Sequence, residues 1–335
     1  MRSSPAQQRV AVVLPARDAV DRLGQAVDSI VRQSYPVSQI ALSIGPSSDG
    51  TEELAERLAD QHPSVFIVPN PTGRTPTGLN LAIAETTGDI IIRVDAGSEL
   101  PAGYVQQCVN TLEATGAANV GAVQHATGTT PFERAVAAAT RSRFGVGNAS
   151  YRFETGEPRR VDTAYLGAFR RRAIEAVDGY DERFTRNQDY ELNWRLRSID
   201  QGVWLDPSLR VTYRPRSDLG SLGRQYWQYG WWRAETLRKH PDSVQPRQLA
   251  APVLLLGLAG SAVIASVGYP RLGAVIPALY ATSTAAAAVT VDPDLSPKER
   301  VLTLAVFPTL HLSWAAGLIA SGLTKVVVRR RAKVS

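Results

Sequence analysis

Cysteine and histidine are scarce. The 335 residues contain one cysteine, Cys108, and four scattered histidines, His62, His125, His240 and His311. One thiol closes no internal disulfide, and with histidines so far apart no histidine-based or zinc-type site is expected. No leader is expected either. The first forty residues run straight into "RVAVVLPA" (9–16), with no apolar core before a cleavage site. The chain is therefore expected to carry no signal peptide and to keep its part before 245 in the cytoplasm.

Charge is what three late windows lack: 249–269, 272–291 and 301–324. Each suffices, as a helix of about 20 residues, to cross a bilayer core roughly 30 Å thick. The middle window is rich in Ala, Thr and Ser, so a buried or interfacial helix is the competing reading there. Acids are absent from "KVVVRRRAK" (325–333), which has five basic residues, and Arg238, Lys239 and Arg247 precede the first window. Positive segments favour the cytoplasmic side, and an odd number of crossings would separate these two. Two to three spans are expected, with 272–291 the one suspected of not crossing. The net charge of +6 then points to anionic membrane lipids as partners rather than nucleic acid.

Before residue 120 strand and helix patterns alternate. Strands are expected at 9–16, 39–45, 64–70 and 89–96, with helices at 26–34, 52–61 and 77–88. This is the pattern of an α/β domain with a mostly parallel sheet and helices on both faces. Ligands bind such sheets outside the carboxyl ends of the strands, which here are Pro15–Asp18, Gly45–Asp49, Asn70–Arg74 and Asp95–Glu99. Asp95 ends an apolar run and is followed by Gly97, so it offers a carboxylate at that edge. From 121 to 218 the pattern is less regular, with a helix at 187–202 and a strand pair at 203–215. The expected division is 1–218, a segment 219–248, a transmembrane region 249–324 and a basic tail 325–335.

Six stretches, in order, resemble the family 2 glycosyltransferases of the GT-A fold, a Rossmann-like architecture, and in particular the ExoA-like membrane-anchored subgroup of bacterial exopolysaccharide assembly. They are "VVLPARD" (12–18), "GPSSDGTEELA" (45–55), "NPTGRTPTGLNLAI" (70–83), "IRVDAGSELPAGYV" (92–105), "LGAFRRRAIEAVDGYDERF" (166–184) and "NQDYELNWRLRS" (187–198). The resemblance implies an inverting transferase (EC 2.4) that takes a sugar from a nucleotide-sugar donor, with a divalent cation, Mg²⁺ or Mn²⁺. It implies a place at the bacterial cytoplasmic membrane, with the catalytic domain facing the cytoplasm and a polyprenyl-linked acceptor for cell-surface polysaccharide or glycolipid.

Carried over position by position, the resemblance makes Asp95 the first acid of the Asp-x-Asp motif, the donor and metal ligand. Gly97 stands where the second acid belongs. Mg²⁺ is commonly held by one or two carboxylates with phosphate oxygens and waters, so one acid can serve beside the diphosphate. Asp189 matches the general base, with Gln188 in place of the usual Glu; a neutral neighbour and a helix start favour its anion. Pro15, Arg17, Asp49, Arg74 and Asp95 are the donor-binding candidates. For Arg74 a diphosphate contact and a solvated arginine both stand; for Asp49 a plain Asp-Gly turn is the preferred alternative. Ile44 and Gly45 replace acids that read uracil in many relatives, so the donor base stays open.

The segment 219–240 places three of six tryptophans in 227–232. It reads as an interfacial helix, or as a form of the Gln-x-x-Arg-Trp element of processive relatives. Gln228, Trp231, Trp232 and Arg233 are its acceptor or membrane-interface candidates; Trp231 occupies the arginine's place, which argues against processive synthesis. Two other functions fit the same pattern: a polyprenyl-phosphate sugar synthase, and a non-catalytic membrane scaffold.

Overall fold

The computed structural model describes residues 7–153 and 156–331. The chain forms two compact units, Met1–His125 with Ser150–Tyr213, and Ala126–Ala149 with Arg214–Ser335. The segment 126–149 thus leaves the first unit and packs with the C-terminal one, a division that no break in composition announces.

The first unit is built on strands β1 (Val10–Ala16), β2 (Val37–Ile44), β3 (Val65–Pro69), β4 (Ile90–Arg93), β5 (Asn119–Ala126), β6 (Arg159–Arg160), β7 (Tyr165–Arg170) and β8 (Val203–Tyr213). Their order across the sheet is β3-β2-β1-β4-β7-β5-β8-β6. The first four strands in that order pair in parallel, as the βαβ pattern requires. Beyond them β7 runs antiparallel to both β4 and β5, and β6 antiparallel to β8.

Strand alternation distributes the apolar residues between the two faces. Val10, Val12, Leu14, Ile90 and Ile92 enter one core with Leu23, Val27 and Ile30 of the helix Val20–Val31 and Val105, Val109 and Leu112 of the helix Tyr104–Thr115. Val13, Ala41 and Ile91 enter the other, with Leu79 and Ile83 of the helix Thr75–Ala84 and Leu192 and Leu196 of the helix Gln188–Ser198. Burial on both faces explains why β1 and β4 read as unbroken apolar runs.

The expected strand pair at 203–215 is one continuous strand, β8. Asp206 within it is buried: one oxygen accepts from Ser208 N–H and Oγ, the other from Thr111 and Gln107. With its polar groups satisfied across the fold, the chain has no cause to reverse there.

The second unit contains the helices Pro131–Thr140, Leu219–Lys239, Ala250–Ser266, Val275–Thr290 and Pro297–Arg331. Three stretches, Pro246–Ser266, Pro270–Thr290 and Pro297–Thr324, are long and apolar enough to cross a membrane. Of the expected basic tail, the backbone of Pro297–Arg331 is helical to its end, and 332–335 lie outside the described residues. Leu219–Lys239 runs parallel to Pro297–Arg331: Gly223 lies against Thr309 and Ser313, Gly230 against Trp314 and Leu318, and Arg238 bonds Ser321. The approach is backbone to backbone. A Cβ at Gly230 would lie 1.9 Å from the Trp314 carbonyl oxygen, and one at Gly317 2.1 Å from that of Trp227.

Candidate functional site

The site grows from the end of β4. Ile91 faces the core that holds the helix Gln188–Ser198, and in a strand Arg93 shares that face. Its guanidinium is 5% exposed. Nε and Nη2 donate to one oxygen of Asp95 at 3.0 and 2.9 Å, and Nη1 donates to Asp189. The Tyr180 ring lies beneath, 6.0 Å from the guanidinium carbon. One arginine therefore joins the two acids that are 94 positions apart in the chain, Asp95 and Asp189.

Electrostatics follow from that geometry. Burial opposes charge on Arg93, but Asp189 and then Asp95 outweigh it and hold the guanidinium firmly protonated. Asp189 is pushed above the usual carboxylate range, first by desolvation; Arg93 pulls it back and Asp95 adds to the rise. Desolvation thus exceeds the helix-start effect read from the sequence. A raised aspartate is the better proton acceptor, provided it is ionised. Asp189 and Asp95 keep 32% and 37% side-chain exposure, so both remain open to a ligand.

The turn before Asp189 is held by the helix Thr75–Ala84. Asn80 accepts from Tyr180 N–H and donates to the Tyr180 carbonyl, each at 2.8 Å, while Glu182 accepts from Thr77 and Asn80. Asn187, at φ 63, then opens Gln188–Ser198. This docking aims the first turn of that helix at the end of β4.

A second group gathers at the ends of β1 and β2. Pro15 pairs with Ser43 in the sheet, and Gly45 donates to the Ala16 carbonyl at 2.9 Å. The Arg17 side chain lies against Gly73, and its ion pair with Asp18, at 3.5 Å, is exposed. Arg74 caps the helix Thr75–Ala84 with extended backbone, and its guanidinium has no ion pair among the described residues. Asp49 is engaged otherwise. One oxygen accepts from Val20 N–H, the other from Thr51 N–H and Oγ1, and these bonds hold it below its ordinary value. Its carboxylate ties the loop 45–50 to two helix starts.

In the second unit, Gln228 is exposed and Trp231 and Trp232 are half-buried on the helix Leu219–Lys239. Arg233 is 3% exposed and bonds Ser243 and Gln248, pinning the linker 240–249.

The sequence reading did not single out Arg93. Its signal is a cation ending an otherwise apolar run, "DIIIR", because a charge in a strand buried on both faces requires a partner.

Residues 11–178 match the model of glycosyl transferase family 2. The chain belongs to that family. It is 30% identical over 311 residues to the succinoglycan biosynthesis protein ExoA of Rhizobium meliloti (strain 1021), covering 91% of this chain and 92% of that one. In fold it is similar to the mannosyltransferase PcManGT of Pyrobaculum calidifontis, solved with GDP-Man and Mn²⁺. That likeness has a TM-score of 0.64 at 20% identity and covers 96% of this chain and 88% of that chain. It is also similar to residues 1–349 of S. aureus TarS, with a TM-score of 0.50 at 11% identity over 93% and 88% of the two chains. The architecture is that of a GT-A glycosyltransferase, followed by apolar helices long enough to span a membrane.

Within this family 2 site, the fit to a divalent cation rests on Asp95. Arg93 occupies one of its oxygens and leaves the other open. Among the described residues no three His, Cys, Asp or Glu side chains converge on a metal position. Asp95 therefore offers one carboxylate oxygen, which suits an ion whose other ligands are phosphate oxygens and water.

Proposed function

We propose that this chain is an inverting glycosyltransferase that moves one sugar from a nucleotide-sugar donor to a polyprenyl-linked acceptor in exopolysaccharide assembly. It works at the bacterial cytoplasmic membrane with its first unit on the cytoplasmic side, and anionic lipids attract its basic segments. The observation that carries this reading is Arg93, which holds a donor-side acid and a base-side acid on one guanidinium. The 30% identity to ExoA over nearly the whole chain supports the exopolysaccharide context.

Asp189 accepts the proton of the acceptor hydroxyl as its oxygen bonds to the anomeric carbon. On the opposite face of that carbon, the bond to the donor diphosphate breaks, and the diphosphate leaves with the electron pair. Asp95 would face the diphosphate through its free oxygen and would hold a divalent cation, Mg²⁺ or Mn²⁺, which when bound would supply charge that neutralises the leaving phosphates. Arg17 and Arg74 border the donor where the ends of β1 and β2 meet the loop 70–74, and Pro15 shapes that wall. Preorganised positive charge at the leaving group supplies much of the rate. Arg93 keeps both acids in register. On the second unit, Gln228, Trp231 and Trp232 serve as the membrane-interface residues, while Arg233 holds the linker 240–249.

The test uses detergent-purified protein with UDP, GDP and dTDP sugars, in Mg²⁺, in Mn²⁺ and in EDTA. One donor should be hydrolysed or bound selectively, and Asp189→Asn should lose transfer while keeping donor binding. Undiminished transfer by Asp189→Asn would refute the base assignment and point to a phosphate acceptor, which needs no base. Absence of all donor binding by folded protein would point to a scaffold.

A further inference from the structure

Two residues beyond Asp95 the chain has glycine. Asp95–Ser98 forms a turn closed by Ser98 N–H donating to the Asp95 carbonyl at 2.9 Å, and Gly97 is its exposed third residue. The space a side chain would enter there borders an arginine. A Cβ built on Gly97 would lie 3.5 Å from Arg22 Nη1 and 3.8 Å from its Cδ. Arg22 belongs to the first turn of the helix Val20–Val31, which starts just past the end of β1. Among the described residues its guanidinium makes no hydrogen bond or ion pair; only its backbone N–H is engaged, donating to the Ala19 carbonyl at 3.0 Å, and the side chain is exposed.

Two physical consequences follow. An aspartate at 97 would sit within reach of Arg22 and neutralise it; glycine leaves the guanidinium without an ion pair among the described residues. Moreover, a helix start carries partial positive charge, so an arginine in the first turn is unfavourably placed until an anion arrives. The combination suits a doubly charged oxyanion, which guanidinium binds through paired N–H groups.

We propose that Arg22 binds the donor diphosphate from the place of the missing second acid. It thereby carries part of the neutralisation that paired acids assign to a metal ion, so donor binding depends only weakly on the cation. The inference rests on the transferase reading above, and the experiment separates the two.

The experiment is calorimetric titration of UDP, GDP and dTDP into the detergent-purified full chain, in Mn²⁺ and in EDTA. It compares the natural protein with Arg22→Ala, Arg22→Lys and Gly97→Asp, each verified as folded by circular dichroism. A Cβ at Gly97 meets only ordinary contacts and the residue lies outside the left-handed region, so Gly97→Asp introduces no backbone strain. The natural protein should bind one nucleotide in EDTA within about tenfold of its affinity in Mn²⁺, and Arg22→Ala should lose roughly tenfold or more in EDTA but less in Mn²⁺. Arg22→Lys should fall between them, and Gly97→Asp should make binding require the metal. Loss of all binding by the natural protein in EDTA, or an Arg22→Ala protein that binds like it under both conditions, would overturn the role of Arg22 alone. Binding of none of the three nucleotides even in Mn²⁺ would overturn the transferase reading, and this inference with it.

Discussion

Arg93 donates to Asp189 with one guanidinium nitrogen and to Asp95 with the other two. Each carboxylate is anchored by a charge that is itself shielded from water, so removing the guanidinium leaves two acids facing each other. Arg93→Met should destabilise the first unit by about 1–3 kcal/mol, below the usual cost of breaking a buried pair because water screens both acids in part. Adding Asp189→Asn should restore some of that loss. Urea denaturation of the two single variants and the double variant measures the coupling; strict additivity would show that the contact contributes nothing.

The same contact sets a pH dependence. Asp189 must be ionised to accept a proton, and its value is raised by desolvation, so transfer should fail on the acid side at a pH above the ordinary aspartate range. Arg93 lowers that value. In Arg93→Gln the acid limb of kcat/KM against pH should therefore move upward. A limb that stays in place would separate Arg93 from the base.

Much of this was legible in the sequence, and for a physical reason. The apolar runs of β1 and β4 and the polar turns after them record burial on both faces and a ligand edge, and those are local patterns. Asp95 and Asp189 were nameable from their motifs. The antiparallel β7 between β4 and β5 was not, because strand partners are chosen by long-range packing. Arg93 was overlooked for the same reason: its role depends on a helix 95 residues later in the chain. The strand pair expected at 203–215 failed because Thr111 and Gln107 satisfy Asp206 from another element.

Asp49 offers a separable test of structure against binding. Both its oxygens are engaged by Val20 and Thr51. Asp49→Ala should lower the melting temperature by freeing two helix starts, and Asp49→Asn should recover part of the loss. Donor affinity should change less than in Arg74→Ala. The reverse ranking in a titration would make Asp49 a donor ligand.

In the second unit, Glu133 is buried within a capping box, closed with Thr130 and paired with Arg214 at 3.0 Å. Desolvation raises its value, but the bonds from Thr130, Thr129 and Arg214 together outweigh it and hold Glu133 at about 2. A depressed carboxylate stabilises the folded state above its unfolded value near 4.5 and loses that contribution as pH falls towards about 2. Acid denaturation of the detergent-solubilised protein should therefore be shallower over that window in Glu133→Gln, which starts less stable at neutral pH. Parallel curves would contradict the assignment.

The closest test of the helical unit lies at Gly230. Leu219–Lys239 and Pro297–Arg331 meet there without side chains between them, and the Trp314 carbonyl occupies the space a methyl group would need. Alanine normally favours a helix over glycine by about 1 kcal/mol. Here steric conflict dominates, because neither backbone can yield without disturbing the Gly317 contact with Trp227 on the same seam. Gly230→Ala should reduce thermal stability in detergent, whereas Gly260→Ala, with nothing within 4 Å of its Cβ, should leave it unchanged or raise it. The contrast isolates packing from propensity: equal effects at the two positions would mean that the helices are not held at this distance.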